Sequence, residues 1–149
     1  MTTTLNLPSA PDLTKEAPRS PRVRLGGYII LGRTTDKCRA FLDGNIGDYH
    51  FDCPLDNILF GFKGVTGDQF KEQVASAATD EQLVSWLDSH GTPKSAAEIK
   101  EWGDGVEKFS LVDDPEKKEF FIGECGKLGL DPHKTTLFDW LEADDKASF

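Results

Sequence analysis

Residues 66–109 read "TGDQFKEQVASAATDEQLVSWLDSHGTPKSAAEIKEWGDGVEKF". Three hydroxyl residues here, Thr66, Thr79 and Ser95, are each followed three positions later by Gln69, Gln82 and Glu98. That spacing is a capping box, in which the hydroxyl accepts from a free backbone N–H and the later side chain reaches back to the cap. Apolar residues follow each box at helical spacing: Phe70, Val74 and Ala77; Leu83, Trp86 and Leu87; Ile99, Trp102, Val106 and Phe109. Start signals and periodicity agree, which predicts three consecutive short helices.

The same logic extends outward. Pro54 suits a first helical position, with Leu55, Ile58, Leu59 and Phe62 inward. Asp114-Pro115 is read as opening a helix with Phe121, Cys125 and Leu128 inward and Gly129 at its end, and Thr136 as capping "LFDWLEADD". Upstream, a helix is expected from just after Gly26-Gly27 to Leu42, with Ile30, Thr34, Cys38, Phe41 and Leu42 on one face and Gly44 as its stop. Between them, Tyr49, Phe51 and Cys53 alternate with His50 and Asp52, the pattern of a short extended segment. The four prolines Pro8, Pro11, Pro18 and Pro21 forbid a continuous helix at the start. The expected class is mainly α: a compact single-domain bundle of six or seven short helices, with at most one short strand or hairpin. Residues 1–20 are expected to form an extended or partly disordered N-terminal strap, with Leu5, Leu7 and Leu13 as its contacts. Residues 21–149 form the helical domain.

A chain of 149 residues buries enough surface to stand without staples. The net charge of −9 argues against nucleic-acid binding, which needs Lys and Arg to neutralise phosphates. No apolar run approaches a membrane span, and no export signal is visible. Three widely spaced cysteines fit reduced thiols, so the expectation is a soluble cytoplasmic protein with no membrane partner.

The blocks "PDLTKEAPRSPRVRLGGY", "LGRTTDKCRAFLDG", "DYHFDCPLD", "TPKSAAEIKEW" and "LFDWLEADD" run in order through the chain from about Pro11 to Phe149. In these the chain resembles the bacterial family catalogued as domain of unknown function five-zero-six-nine. The resemblance implies a small bacterial protein made of one compact domain. It carries over no activity, cofactor or catalytic residue.

Arginine is confined to residues 19–39: Arg19, Arg22, Arg24, Arg33 and Arg39. The excess of acidic residues lies in the second half of the chain. A guanidinium matches carboxylate or phosphate with a planar fork of donors. In an extended stretch Arg22 and Arg24 point the same way. Gly26 and Gly27 leave backbone amides accessible at the entry to a helix, a natural anion site. Arg33 shares a helix face with Lys37. The leading expectation is therefore a non-catalytic binding module for an anionic small molecule or an acidic protein segment, through Arg22, Arg24, Gly26, Gly27, Arg33 and Arg39. The competing reading is internal: the arginines hold the strap onto the acidic half, including the run Glu142–Asp145, whose charge opposes its own helix dipole. A second functional reading is a small enzyme in which arginines position an anionic substrate and His50 with Asp52 moves protons. A third is a structural subunit of a larger assembly. No metal set is expected, because His50 and Cys53 would face opposite sides of an extended chain and no second pair completes a site. No cofactor is expected.

Overall fold

The computed structural model describes residues 9–149. The expectations for Leu5 and Leu7, and the part of the expected disordered stretch that falls on residues 1–8, lie outside those residues. Among the described residues seven α-helices follow one another: α1 (Leu31–Asp43), α2 (Pro54–Lys63), α3 (Gly67–Ala75), α4 (Asp80–Ser89), α5 (Ala96–Glu107), α6 (Lys118–Lys127) and α7 (Leu137–Ser148), with a 3-10 turn at Leu111–Asp113 before α6. The fold is mainly α. Among the described residues there is no strand, only an isolated bridge in which Leu25 and Tyr28 exchange both backbone hydrogen bonds at 3.0 Å.

The local signals place most of the helices. Thr66, Thr79 and Ser95 cap α3, α4 and α5 with both bonds of the box made, and Thr136 does the same for α7 through Asp139. Pro54 is the first residue of α2, and Gly44 closes α1 at a φ of 79°. Two boundaries move inward. α3 stops at Ala75, and Ala77 sits at φ 65° outside it. α6 starts at Lys118 rather than at Asp114-Pro115, because the intervening residues turn.

Three further expectations are corrected. Helix α1 begins at Leu31, four residues after Gly27. Gly26, Gly27 and Ile30 all have positive φ, so the segment turns before it coils. For Ile30, a β-branched residue, φ 71° is a rare conformation. It is held by Ile30 N–H donating to Pro21 O (2.8 Å) and by complete burial of Tyr28, Ile29, Ile30 and Leu31. This "YIIL" run is the centre of the core, packed with Leu59 and Phe60 of α2, Phe70 of α3, Leu83 and Leu87 of α4, Ile99 of α5 and Phe138 of α7. Phe41 and Leu42, expected inward, are exposed. The segment 48–53 is not extended: Asp52 has φ 61°, and its N–H donates to Asp56 Oδ2 at 2.9 Å. The side-chain alternation read there is lost.

The strap follows the domain from Leu13 onward. Leu13 is buried, and its N–H donates to Asn45 O (2.9 Å). Pro18 and Pro21 are also buried. Residues 19–24 then run past α1, α4, α5 and α7, which decides where Arg19, Arg22 and Arg24 go.

Candidate functional site

Each arginine meets carboxylates. Arg19 forks onto Asp36 of α1 (3.0 Å) and Asp80 at the start of α4 (3.0 Å), and Arg39 reaches the same Asp80 (2.9 Å) and Ala78 O (3.0 Å). Burial opposes ionisation of Asp80, but the hydrogen bonds and charges of Arg19 and Arg39 outweigh it and hold the carboxyl below its ordinary range. Arg22 pairs with Asp139 (2.8 Å) and Glu142 (3.2 Å) of α7. Arg24 pairs with Asp104 (2.9 Å) and Glu107 (3.1 Å) of α5. Arg33 is 3% exposed and forks onto Asp145 at 2.7 and 3.0 Å. The acidic end of α7 thus receives two guanidinium groups against its unfavourable dipole.

Glycine makes two of these contacts possible. A Cβ on Gly32 of α1 would lie 3.2 Å from Arg19 Nε, and one on Gly103 of α5 would lie 3.0 Å from Arg24 Nη1. Each guanidinium rests where a helix has no side chain.

The structure does not gather Arg22, Arg24, Arg33 and Arg39 into one site. Arg22 and Arg24 diverge, one toward α7 and the other toward α5. Residues 20–23 form a turn closed by Val23 N–H to Ser20 O (3.1 Å), so the two-residue alternation of an extended chain does not apply. Arg33 and Lys37 do share a face of α1, but it is a buried face: Lys37 Nζ lies 2.9 Å from Asp56 Oδ1, and Asp56 is fully buried.

Arg22 sits at an exposed pair, which predicts a small effect. Arg22→Ala should cost about 1 kcal/mol or less in urea unfolding, and the cost should shrink at 1 M salt. A salt-independent loss several times larger would show that Arg22 is a principal tie of the strap.

Arg24, Gly26 and Gly27 do come together, along one wall of a cleft of about 620 Å³ whose other lining is Asp88, Lys94, Ala96, Ile99, Lys100 and Asp104. The size suits a small molecule. The wall exists because Gly26, at φ 59°, lies directly on Val84, where any Cβ would collide, and Gly27 lies over Ile99. Among the described residues, the N–H groups of Gly26 and Gly27 donate to no protein acceptor. Ala96 opens the first turn of α5, where helix amides have no intrahelical partner. Arg24 and Lys100 (2.8 Å) both hold Asp104. Lys94 has no carboxylate within ion-pair distance among the described residues, and its ammonium sits 4.7 Å from the centre of the Phe62 ring. Asp88 accepts from Tyr28 Oη at 2.7 Å. Behind it, burial pushes the Lys63 ammonium down, the nearby Asp88 charge opposing, and Lys63 Nζ donates to Thr92 O (2.9 Å).

The charged residues missed from sequence are Asp88, Lys94, Lys100 and Asp104. The available signal was "PKS", a lysine directly before the Ser95 cap, which places a cation beside free helix amides.

His50 and Asp52 do not form a pair. His50 is exposed, has no hydrogen-bond partner among the described residues, and lines none of the described clefts. The Asp52 carboxylate instead lies against Gly67 at the start of α3 and accepts from Asn57 Nδ2 (2.9 Å). Among the described residues no group of three or more His, Cys, Asp or Glu side chains is placed to hold a metal ion. Burial, reinforced by the charge of Asp56, pushes the Cys38 thiol up to about 12, so it stays protonated and inert at neutral pH. No described helix is long and apolar enough to cross a membrane.

A search of curated proteins finds no match to this chain. The family model described as "Domain of unknown function (DUF5069)" matches residues 15–147, which include every arginine, the whole cleft and all seven helices but the last residue of α7. The chain belongs to the DUF5069 family.

Proposed function

We propose that this is a soluble, cytoplasmic bacterial binding module without catalysis, which takes a small anionic molecule into the cleft between the Gly26–Gly27 turn and α5. The observation that carries the reading is Lys94. It is a cation with no carboxylate partner among the described residues, and it lines the same cleft as the Gly26 and Gly27 backbone and the first turn of α5. An anion there would meet an ammonium, a helix N-terminus and free amides together. Arg24 stands at the edge of the cleft with its fork already on Asp104 and Glu107, so it shapes the wall and supplies field. A concave cleft of about 620 Å³ favours a small molecule over an acidic protein segment. Proton transfer by His50 and Asp52 finds no support in their separate surroundings.

Isothermal titration with inorganic phosphate and with propionate tests this. At least one should bind, more weakly as salt rises. Lys94→Gln should weaken it roughly tenfold or more, the equivalent of losing one charge-assisted hydrogen bond. No heat from either anion, or equal binding by the variant, would refute the reading.

A further inference from the structure

The cleft holds five charged side chains, and three of them satisfy one another. Asp104 is gripped by Arg24 and Lys100, and Arg24 also holds Glu107 just outside. Two of the lining charges remain without an ion-pair partner among the described residues: Lys94 and Asp88. They have opposite signs. Asp88 gives one oxygen to Tyr28, leaving its Oδ2 with no donor among the described residues.

Both charges have the sign that their helix end disfavours. Asp88 lies in the last turn of α4, which has no basic residue, so a carboxylate adds to the negative end of the helix. Lys94 immediately precedes the Ser95 cap of α5, so an ammonium adds to a positive end. A cation at Asp88 and an anion at Lys94 each relieve a local mismatch. Lys63 Nζ is turned to Thr92 O and does not reach Asp88 within ion-pair distance. Ile99 and Ala96 supply apolar lining to the same cleft.

Resting on the anion-binding reading, we infer that the ligand is a zwitterion. It is a small molecule whose carboxylate or phosphate sits at Lys94 and the first turn of α5, and whose ammonium sits at Asp88 Oδ2, with a short apolar body over Ile99. The cleft then selects amine-bearing anions over plain anions of the same size.

The test is isothermal titration of the full chain with two matched pairs: ethyl phosphate against 2-aminoethyl phosphate, and propionate against β-alanine. In at least one pair the amine should bind about tenfold tighter or better, the scale of one added charge-assisted bond. Asp88→Asn keeps an oxygen for Tyr28 but removes the charge. It should abolish that preference, so that the two members of each pair bind with the same affinity. Equal affinities within both pairs, or a preference that survives Asp88→Asn, would overturn the zwitterion and leave the anion site standing. Failure of all four probes to bind would overturn both.

Discussion

Lys37→Met is expected to destabilise the protein by about 3–5 kcal/mol, the range for removing one partner of a buried ion pair. Lys37 is 2% exposed and Asp56 0%. The pair joins α1 to α2 in the buried interior. Asp56 is also a hub: it accepts from Thr34 Oγ1 (2.6 Å), Asp52 N–H (2.9 Å) and Cys53 N–H (3.4 Å). Those bonds build the start of α2 and set the turn that displaced the expected extended segment. With methionine at 37 the packing stem survives, but a carboxylate remains in an apolar surrounding with only neutral donors. Adding Asp56→Asn to Lys37→Met should recover at least half of the loss, since the amide oxygen still accepts from the backbone and no charge is left unpaired. Urea unfolding of the two single variants and the double variant measures this as a cycle. A cost under about 1 kcal/mol for Lys37→Met, or no recovery in the double variant, would mean that the charge of Asp56 is not what Lys37 balances.

This hub also shows where sequence reading stops. Capping boxes are local: Thr66, Thr79, Ser95 and Thr136 bond residues three positions away, so their helices could be placed from the residues alone. The start of α1 could not. Ile30 holds a positive φ because the whole core closes over Tyr28–Leu31 and Pro21 O receives its N–H, and neither partner is a near neighbour. Alternation at 49–53 was a true pattern in the residues, overruled by a carboxylate four positions on. The arginines were the right residues to single out, since every one of them is a tertiary tie. Their division among α1, α4, α5 and α7 depends on a turn at Ser20–Val23 that no apolar period reveals. Two glycines carry a legible clue. Gly32 and Gly103 sit inside helices, where glycine costs about 1 kcal/mol against alanine, so each needs a packing reason. The reason is an arginine laid across the backbone.

The second large effect is expected at Arg33, where strap, α1 and α7 meet. Arg33 Nη1 and Nη2 grip both oxygens of Asp145 (2.7 and 3.0 Å), Nη1 also reaches Arg19 O (3.4 Å), and Tyr49 Oη donates to Asp145 Oδ1 (2.8 Å). The guanidinium carbon lies 5.4 Å from the centre of the Tyr49 ring. Arg33→Met should cost about 3–5 kcal/mol, because it strands Asp145 in a buried setting. Arg33→Lys should restore only part, since a point ammonium cannot reproduce the fork or the stacking. Salt separates this pair from Arg22. Buried charges are screened little, so the Arg33→Met loss should be nearly the same in 0.05 and 1 M salt, while that of Arg22→Ala fades. The contrast bears on function. If Arg33 carries the fold and is insensitive to salt, its positive charge is already matched inside the protein. Salt-dependent anion binding must then come from the cleft, and Arg33→Lys should leave the affinity for inorganic phosphate or propionate unchanged even as it lowers stability. A parallel loss of stability and anion affinity in Arg33→Lys would move the binding site from Lys94 to the junction of α1 and α7.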